Sequence, residues 1–413
     1  MKKHIFLIIL AAFLTFLLLG LVLFRFRSRP FITRLTDNYW VFTTINQLAK
    51  ITDIPFAFYQ FYPNKLSTYQ LFIKGQDLEA LQSQLPDVNQ SNIAVDFNQV
   101  PAGFITDAGK TLKTRVRYRG NTSVHWAYYK KSWRINLRGN DALNQLKSID
   151  LIIPEDRGLV LEHLANYRAK KLGLLNPDSW FINLIINQKS QGVYYATEKI
   201  DENFILKRDL QGTLFGEKDD LDNWNTSIYS SISRWRTYPE NPHHPDFKYL
   251  KQLINMVNNQ NTTIEELLTL IDLDNFLSWQ VHSLLMASFA QEDTRNNRLF
   301  YNYDLKKFQF IPWDTGSRHE SSEDLGKSYH PIVDRLLADP NIKAKRNQLL
   351  KSYITNPQNL SDDLAFFNKS IDQLYSPLMQ DNLKFYANIK YLMDIKNYRN
   401  WMLGHFDNLE AQL

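Results

Sequence analysis

The hydrophobic and polar positions of the 413-residue chain follow three patterns in succession. A long, almost wholly apolar run from Ile5 to Phe24 comes first. Apolar and polar residues then alternate, as in Arg115–Arg119 and Ser132–Leu137, which predicts paired β-strands because successive strand side chains point to opposite faces. From Phe247 onward, apolar residues recur every three or four positions, which predicts helices with one buried face. The chain should therefore be β-rich first and mainly helical afterwards, an α+β arrangement.

The apolar run from Ile5 to Phe24 is interrupted only by Thr15 and Gly20. A helix rises about 1.5 Å per residue, so a run of this length crosses the roughly 30 Å hydrocarbon layer of a bilayer. It ends at the basic stretch Arg25–Arg29 and not at a small-residue cleavage site. We predict an uncleaved single-pass membrane anchor, with a cleaved signal peptide as the alternative.

The positive charges on the two sides of this run disagree about orientation. The arginines between residues 25 and 34 outnumber Lys2 and Lys3, and a count of basic residues would keep the large domain in the cytoplasm. The very short, lysine-led N-terminus is instead typical of an exported protein. We expect an extracytoplasmic main domain.

Aromatic residues crowd the stretch from Thr36 to Pro63. Because aromatic side chains bury most of their area in cores, this stretch is predicted to line the core of a β-rich N-terminal layer. Further on, Leu71–Ile73 is predicted to be a strand and Asp77–Gln84 a short helix. In the helical half, Asn356-Pro357 and Ser376-Pro377 predict breaks between helices.

The composition limits the class of protein. A content of 44% hydrophobic and 14% aromatic residues is enough for a large core in one or two domains. The net charge of +5 is a small excess and gives no argument for a nucleic-acid partner. The absence of cysteine excludes disulfides, zinc–thiolate sites and thiol nucleophiles.

A cationic turn lies between the two alternating runs. Gly120–Ser123 leads out of the first run beside Arg119 and offers backbone N–H groups and hydroxyls, which could hold a phosphate. Lys130 and Lys131 begin the second run, and only one of them can point into a cleft. A basic, solvated hairpin is the alternative interpretation.

A second polar cluster lies between Phe289 and Gly316. Asp293 and Asn297 stand in a polar loop, two aromatic runs follow (299–303 and 308–312), and Asp314 comes at the end. A phosphoryl-transfer site can be assembled in this way, with one carboxylate at the acceptor hydroxyl and an amide and a carboxylate at a divalent cation. Ordinary turns are the alternative, because Asp and Asn bond to their own backbone.

Four segments together resemble the CotH kinase family, which is named for spore coat protein H. They are R-Y-R-G-N-T-S with K-K-S-W-R-I-N-L between Arg117 and Leu137, G-V-Y-Y-A-T-E-K-I-D from Gly192, D-L-D-N-F from Asp272 with the loop that holds Asp293, and P-W-D from Pro312. Found in this order over roughly residues 110 to 320, they are far more specific than any one alone.

The resemblance implies an atypical protein-kinase fold with two lobes. A β-rich N-lobe, residues 31–205, would lie over a mainly helical C-lobe, residues 206–413, with the anchor in residues 1–30. ATP and a divalent cation, Mg²⁺ or Mn²⁺, would bind between the lobes. The γ-phosphate would pass to Ser or Thr of a protein substrate.

Three residues match the nucleotide side of the family pattern. The resemblance implies that Lys131 contacts the nucleotide phosphates and that Arg119 lies in the turn on the phosphate side. Glu198 has two candidate roles, either an ion pair with Lys131 or a place in the hinge beside the adenine.

The remaining matches concern the transfer itself. Asp293 would be the catalytic aspartate near the acceptor hydroxyl, and Asn297 and Asp314 would hold the metal. The chain departs from the pattern at two positions beside these residues. Gly316 stands where relatives often carry a second aspartate, and Asn296 stands where many carry His.

The polar segment from Asp219 to Asp246 has no helical periodicity. Its length predicts a functional insertion or mobile loop, with acceptor recognition or cleft gating as hypotheses. His243 and His244 lie between prolines and lack further ligands nearby in sequence, so we interpret them as an exposed turn and not as a metal site.

Two main functions compete at this point. The first is a membrane-anchored protein kinase that uses the residues named above. The second is a catalytically inert relative of the same fold, acting as a surface binding or invasion-type protein. A metal-dependent hydrolase that uses the same carboxylates is a third hypothesis, which predicts product release without label transfer to protein.

Overall fold

The computed structural model describes residues 39–87, 97–107, 109–139, 141–218, 226–238, 246–288, 290–316, 325–326, 328 and 330–413. The predicted anchor Ile5–Phe24 and much of the predicted loop 219–246 lie outside these ranges. Within the described ranges, no helix combines the length and apolarity that a membrane crossing requires.

A closed β-barrel forms the N-terminal part of the described chain. Its strands are β1 (Ser67–Phe72), β2 (Val100–Ile105), β3 (Thr111–Tyr118), β4 (Trp133–Leu137), β5 (Ser148–Ile152), β6 (Ser179–Ile186) and β7 (Lys189–Glu198), in the order β1-β2-β3-β4-β5-β7-β6. The predicted pairing of the two alternating runs is confirmed, because β3 and β4 are antiparallel with Val116 opposite Ile135. A parallel pairing of β1 with β6 closes the barrel.

A smaller antiparallel sheet follows in the C-terminal half. It consists of β8 (Gly212–Glu217), β9 (Trp235–Tyr238), β10 (Arg298–Asn302) and β11 (Lys307–Phe310), in the order β11-β10-β8-β9. The predicted hairpin of the two aromatic runs is confirmed as β10 and β11. This sheet supplies one wall of a core whose other wall is helical, with Trp279 stacked on Phe310 at a ring-centroid distance of 4.7 Å.

Helices make up most of the rest of the described chain. They are α1 (Tyr39–Ala49), α2 (Gly75–Gln82), α3 (Leu161–Lys171), α4 (Glu202–Leu206), α5 (Lys248–Asn258), α6 (Ile264–Leu270), α7 (Leu273–Leu285), α8 (Pro331–Leu337), α9 (Pro340–Ile354), α10 (Pro357–Gln380) and α11 (Asn388–Glu410). Asp272 caps α7 by accepting a hydrogen bond from Asn275 N. The break predicted at Asn356-Pro357 is confirmed, but α10 continues through Pro377 to Gln380, so the break predicted at Ser376-Pro377 is wrong.

The aromatic stretch before the barrel differs from its prediction. It was expected to be a β-rich core layer, but it forms α1 and a 3₁₀ helix from Lys50 to Phe61. Phe56 and Tyr59 pack against the cluster formed by α3, α10 and α11, and Tyr59 contacts Tyr375 at a ring-centroid distance of 5.6 Å. The rings do pack inside the protein, but the surface that receives them is formed by distant helices and not by a β-layer.

A buried ion pair joins the barrel to the C-terminal helices. Lys130 Nζ lies 2.6 Å from Asp381 Oδ2, and both side chains are 1% exposed. Asp381 also accepts hydrogen bonds from Val193 N and Leu383 N, each at 2.9 Å. The carboxylate is therefore fully satisfied without water, as a buried charge requires.

We expect Asp381→Ala to reduce the free energy of unfolding by about 3–5 kcal/mol, because it leaves the Lys130 ammonium buried without its partner. Urea unfolding of the purified protein measures this change. Asp372→Ala removes an exposed carboxylate from α10, the helix that ends just before Asp381, and should change the stability by less than about 0.5 kcal/mol. Equal effects of the two substitutions would contradict the buried ion pair.

Candidate active site

The cationic turn between β3 and β4 has a fixed shape. Gly120 has φ +96°, and a Cβ at this position would lie 2.0 Å from the His125 ring. The ring in turn places Nδ1 3.0 Å from Ser132 Oγ, at the start of β4. Only glycine fits here, because a side chain would displace His125 and with it the closure of the turn.

Arg119 carries one guanidinium nitrogen without a hydrogen-bond partner next to this turn. Its Nε lies 3.3 Å from Asp150 Oδ2, while Arg134 binds both oxygens of the same carboxylate at 2.7 and 2.8 Å. The Nη1 of Arg119 is buried and has no hydrogen-bond partner. A buried N–H group without a partner is costly, so Nη1 marks a position where an anion would be stabilised.

The electrostatics of these groups follow from burial and pairing. Burial lowers the pKa of Arg119 to about 10, although Asp150 opposes this, and the guanidinium stays charged at neutral pH. Burial alone would raise the pKa of Asp150, but Arg134 and Arg119 outweigh it and hold that pKa well below its usual range. The pair is therefore ionised across the physiological pH range.

The 3₁₀ turn Pro154–Arg157 links the cationic turn to the P-W-D segment. His125 Nε2 lies 3.6 Å from Asp156 Oδ2, and Arg157 Nε lies 3.2 Å from the same oxygen. Arg157 Nη1 forms an ion pair with the Asp314 carboxylate, and its guanidinium lies over the Trp313 ring. Barrel, turn and strand end thus meet in one charged cluster.

Gly316 closes this cluster from the other side. Its N–H donates to Glu162 Oε2 at the start of α3, and a Cβ here would lie 2.6 Å from the Glu162 N atom. This gives a physical reason for the departure from the family pattern, because an aspartate at position 316 has no room. Burial raises the pKa of Glu162, although Arg157 opposes the shift.

Asn297 is held on all sides by the protein. Its Oδ1 accepts a hydrogen bond from Tyr229 OH at 3.0 Å and lies 2.9 Å from His330 Nε2. Its Nδ2 donates to the carbonyls of Glu292 and Arg295 at 2.5 and 2.8 Å. The amide therefore shapes the loop, with its donors and acceptor already in use.

Asp293 is the more open member of the same loop. Its backbone carbonyl accepts a hydrogen bond from Ile228 N at 2.7 Å, and its side chain is partly exposed. Burial raises the pKa of Asp293, Glu292 adds to the rise, and a hydrogen bond with Ser227 opposes it. A carboxylate with a raised pKa is better suited to accept a proton.

Lys131 and Glu198 do not pair with each other. Lys131 Nζ donates to the carbonyls of Trp126 and Tyr128 at 2.8 and 2.5 Å, and burial lowers its pKa to about 8. Glu198 ends β7 and is held by Arg208 at 2.8 and 3.0 Å. The ion-pair alternative for Glu198 is therefore excluded in this structure, while the hinge role stays a prediction.

Four of the six predicted residues fall into two linked groups, and Lys131 and Glu198 belong to neither. Arg119 is connected to Asp314 through Ser132 and His125, because Arg119 N donates to Ser132 O at 3.1 Å and Ser132 Oγ lies 3.0 Å from His125 Nδ1. From His125 the contacts continue through Asp156 and Arg157 to Asp314. The loop with Asp293 and Asn297 is tied to the strand end by Gln291, whose Nε2 donates to the carbonyls of Asn296 and Ile311 at 3.1 and 2.9 Å.

Five further charged or titratable residues belong to this site without having been singled out from the sequence. They are His125, Asp150, Asp156, Arg157 and Glu162. The charged run Glu155-Asp156-Arg157 directly after a buried strand was the available signal.

Residues 116–361 match the family model described as CotH kinase protein, which is more than half of the chain. The chain belongs to the CotH kinase family. All six site residues predicted from the sequence lie within the matched region, whereas Asp381 and α11 lie beyond it.

Individual relatives of this CotH-family chain are distant. It is 25% identical to the inner spore coat protein H of Bacillus subtilis strain 168 over 309 residues, which is 70% of this chain and 81% of that protein. The Helicobacter pylori proinflammatory kinase CtkA aligns with 15% identity over 68% of this chain and 95% of its own, at a TM-score of 0.27. The HipA, HipB and operator DNA complex of Shewanella oneidensis MR-1 aligns with 10% identity over 85% of this chain and 74% of its own, at 0.32. Because both TM-scores are low, the family assignment rests on the sequence match.

Membership in a kinase family implies ATP, and the residues present fit its phosphates better than they fit a metal. The unpartnered Nη1 of Arg119 suits an anionic oxygen. Asp314 is already paired with Arg157, and Asn297 has no free acceptor for a cation. Within the described ranges, no three His, Asp or Glu side chains come together as a metal-binding group. We therefore derive no step through a metal.

Three buried histidines make the stability of this CotH-family protein depend on pH. Burial lowers the pKa of His125 and His282 to about 4 and the pKa of His330 to about 3. The shift is opposed by Asp156 for His125 and by the hydrogen bond to the Ala165 carbonyl for His282. In the unfolded chain each titrates near pH 6.5, so below that pH the unfolded state binds protons that the native state excludes.

We therefore expect the free energy of unfolding to fall as the pH drops from about 6.5 to about 5, by up to about 1.4 kcal/mol per pH unit for each histidine. Urea unfolding at several pH values measures this slope. His282→Asn should make it shallower, since Asn does not titrate. A stability that is constant across this interval would contradict the assignment of these histidines as buried and neutral.

Proposed function

We propose that the protein is a membrane-anchored CotH-like kinase that transfers the γ-phosphate of ATP to Ser or Thr residues of a protein substrate. The observation that carries this proposal is the buried, unpartnered Nη1 of Arg119 beside the Gly120 turn. It lies in the same charged cluster as Asp314, the strand-end aspartate of the family pattern. A kinase needs such a cationic wall opposite its transfer residues.

In this proposal Arg119 and the Gly120 turn hold the phosphates, and Asp293 acts at the acceptor. The hydroxyl oxygen of Ser or Thr bonds to the γ-phosphorus while the bond from that phosphorus to the bridging oxygen of the β-phosphate breaks, which releases ADP. The hydroxyl proton passes to the Asp293 carboxylate, whose pKa is raised by burial.

Lys131 has a less direct place in this arrangement than the family pattern implied. Its ammonium would reach a phosphate only by giving up two carbonyl partners, Trp126 and Tyr128. We propose that it fixes the loop before β4.

The anchor Ile5–Phe24 and an extracytoplasmic main domain complete the proposal. The support for them is the length and apolarity of the run and the short, lysine-led N-terminus. ATP is plentiful inside cells, so an exported kinase needs a separate supply of nucleotide.

A catalytically inert binding protein of the same family is the second candidate. Two observations favour it: Arg157 neutralises Asp314, and the Asn297 amide is fully used inside the protein. In this case the charged cluster would stabilise the fold and would bind no nucleotide.

Nucleotide binding separates the two candidates. We expect ATP to raise the thermal unfolding temperature of the detergent-solubilised full chain, with or without added Mg²⁺ or Mn²⁺. Arg119→Met should abolish this ATP-dependent rise relative to its own nucleotide-free form. The control is Lys131→Met, which also removes a half-buried positive charge. This variant should keep most of the ATP-dependent rise in the unfolding temperature. No rise with any nucleotide and metal combination would favour the inert binding protein.

Phosphate transfer tests the chemistry itself. We expect label from γ-labelled ATP to appear on Ser or Thr of a generic protein acceptor, and Asp293→Asn to reduce the rate by about 10²–10⁴-fold, because the proton acceptor is lost. Asp304→Asn, in the β10–β11 turn away from the cluster, is the control and should leave the rate unchanged. Release of free phosphate without labelled protein would point to a hydrolase instead.

A further inference from the structure

The 3₁₀ helix Lys50–Phe61 has one face that packs on the protein. A 3₁₀ helix has three residues per turn, so residues three apart lie on the same line. The line of Lys50, Asp53, Phe56 and Tyr59 faces inward: Asp53 accepts a hydrogen bond from Asn388 N at 2.6 Å, and Lys50 Nζ donates to Asn382 O at 3.0 Å. The helix is therefore held in one rotational setting by α11 and the segment before it.

The other lines of this helix form an exposed apolar surface, which we call the outer face. It consists of Ile51 and Ile54 on one line and Phe58 and Phe61 on the next. Ile54 is 71%, Phe58 48% and Phe61 90% exposed. Exposed large apolar side chains that lie next to one another mark an interaction surface, whereas single scattered ones are normal on protein surfaces.

The order of the rings shows that the outer face is held in shape. Phe58 contacts Tyr59 at a ring-centroid distance of 4.3 Å, and Tyr59 contacts Tyr62 at 5.3 Å. Tyr59 is in turn fixed against Tyr375 of α10. The outward Phe58 ring is thus supported from behind by Tyr59, which pre-organises this part of the surface.

We propose that the outer face rests on the phospholipid bilayer into which the chain is anchored, an inference that depends on the proposed anchor. The apolar run ends at Phe24, and the next fourteen residues lead to Tyr39, where α1 begins. A segment of that length spans at most about 50 Å when fully extended. The helix therefore stays within reach of the membrane surface, where Phe and Tyr are favoured side chains.

The charged residues next to this helix in the sequence fit a lipid surface. Four arginines lie between residues 25 and 34, just before α1, and Lys65 is exposed just after the helix. The acidic residue within the helix, Asp53, is turned inward toward α11 and Lys384. Basic flanks around apolar side chains are attracted to anionic headgroups.

Helix α11 extends the same surface. Ile389 and Met393 lie one turn apart on α11 and are both exposed. Ile389 directly follows Asn388, the residue that binds Asp53 next to Ile54. Exposed apolar residues from both ends of the described chain therefore lie beside the contact between Asp53 and Asn388.

The absence of cysteine gives a direct test on the full chain, because one introduced cysteine is the only site for a thiol label. An environment-sensitive fluorophore is attached to the single cysteine of the variants Ile54→Cys, Phe58→Cys and Phe61→Cys. Each labelled protein is then reconstituted into vesicles of phosphatidylcholine and phosphatidylglycerol. The control is Leu305→Cys, in the β10–β11 turn at 51% exposure. Brominated lipid of the same composition serves as the quencher.

We expect the label at positions 54, 58 and 61 to emit further to the blue and to lose fluorescence to brominated lipid, while the label at 305 keeps its emission. Vesicle flotation is measured on the same samples. Chains that float but show no quenching at 54, 58 and 61 would overturn the contact and leave the anchor standing. Chains that fail to float would overturn both.

A second copy of the chain is the competing occupant of the outer face. Oxidation of the unlabelled Phe58→Cys protein in vesicles at low protein density would then give a disulfide-linked dimer, and this result would overturn the lipid contact. Both measurements are independent of phosphate transfer, so a loss of kinase activity and a loss of membrane contact can be told apart.

Discussion

The ion pair between Arg157 and Asp314 is the contact on which the site depends. It joins a turn that follows the barrel strand β5 to a strand end in the C-terminal half, and Asp156 extends it to His125 in the cationic turn. These three segments are separated in the sequence, and they meet through charged side chains that are buried or partly buried. The desolvation cost of these charges is offset because each one has a partner of opposite charge.

The same turn is supported from the C-terminal end of the chain. Glu155, next to Asp156, accepts hydrogen bonds from Phe385 N at 3.0 Å and from Tyr391 OH. The nearby pair of Lys130 and Asp381 fixes the segment between α10 and α11 against the barrel. The last two helices therefore stabilise the position of this turn, although they lie largely outside the region that matches the CotH family model.

Much of the fold was predictable from local patterns. Alternation located β3 and β4, and the aromatic hairpin of β10 and β11 was found from its two short runs. The aromatic stretch before the barrel was misassigned, because ring content is compatible with strands and helices alike and the deciding contact, Tyr59 on Tyr375, comes from more than three hundred residues away. The roles of Lys130 and Lys131 were also out of reach, because strand alternation shows that the two side chains diverge without showing which partner each one meets.

The sequence by itself determined the family and located the strand pairs β3–β4 and β10–β11, because periodicity and motif order are local properties of a chain. It also predicts Arg119, Asp293 and Asp314 as site residues. Only the tertiary structure decided what these groups touch. Arg157, which was not singled out from the sequence, pairs with Asp314, and the Asn297 amide forms its hydrogen bonds inside the protein. Charge pairing and hydrogen-bond saturation depend on distances between segments, and those distances arise only when the barrel, the small sheet and the C-terminal helices pack together.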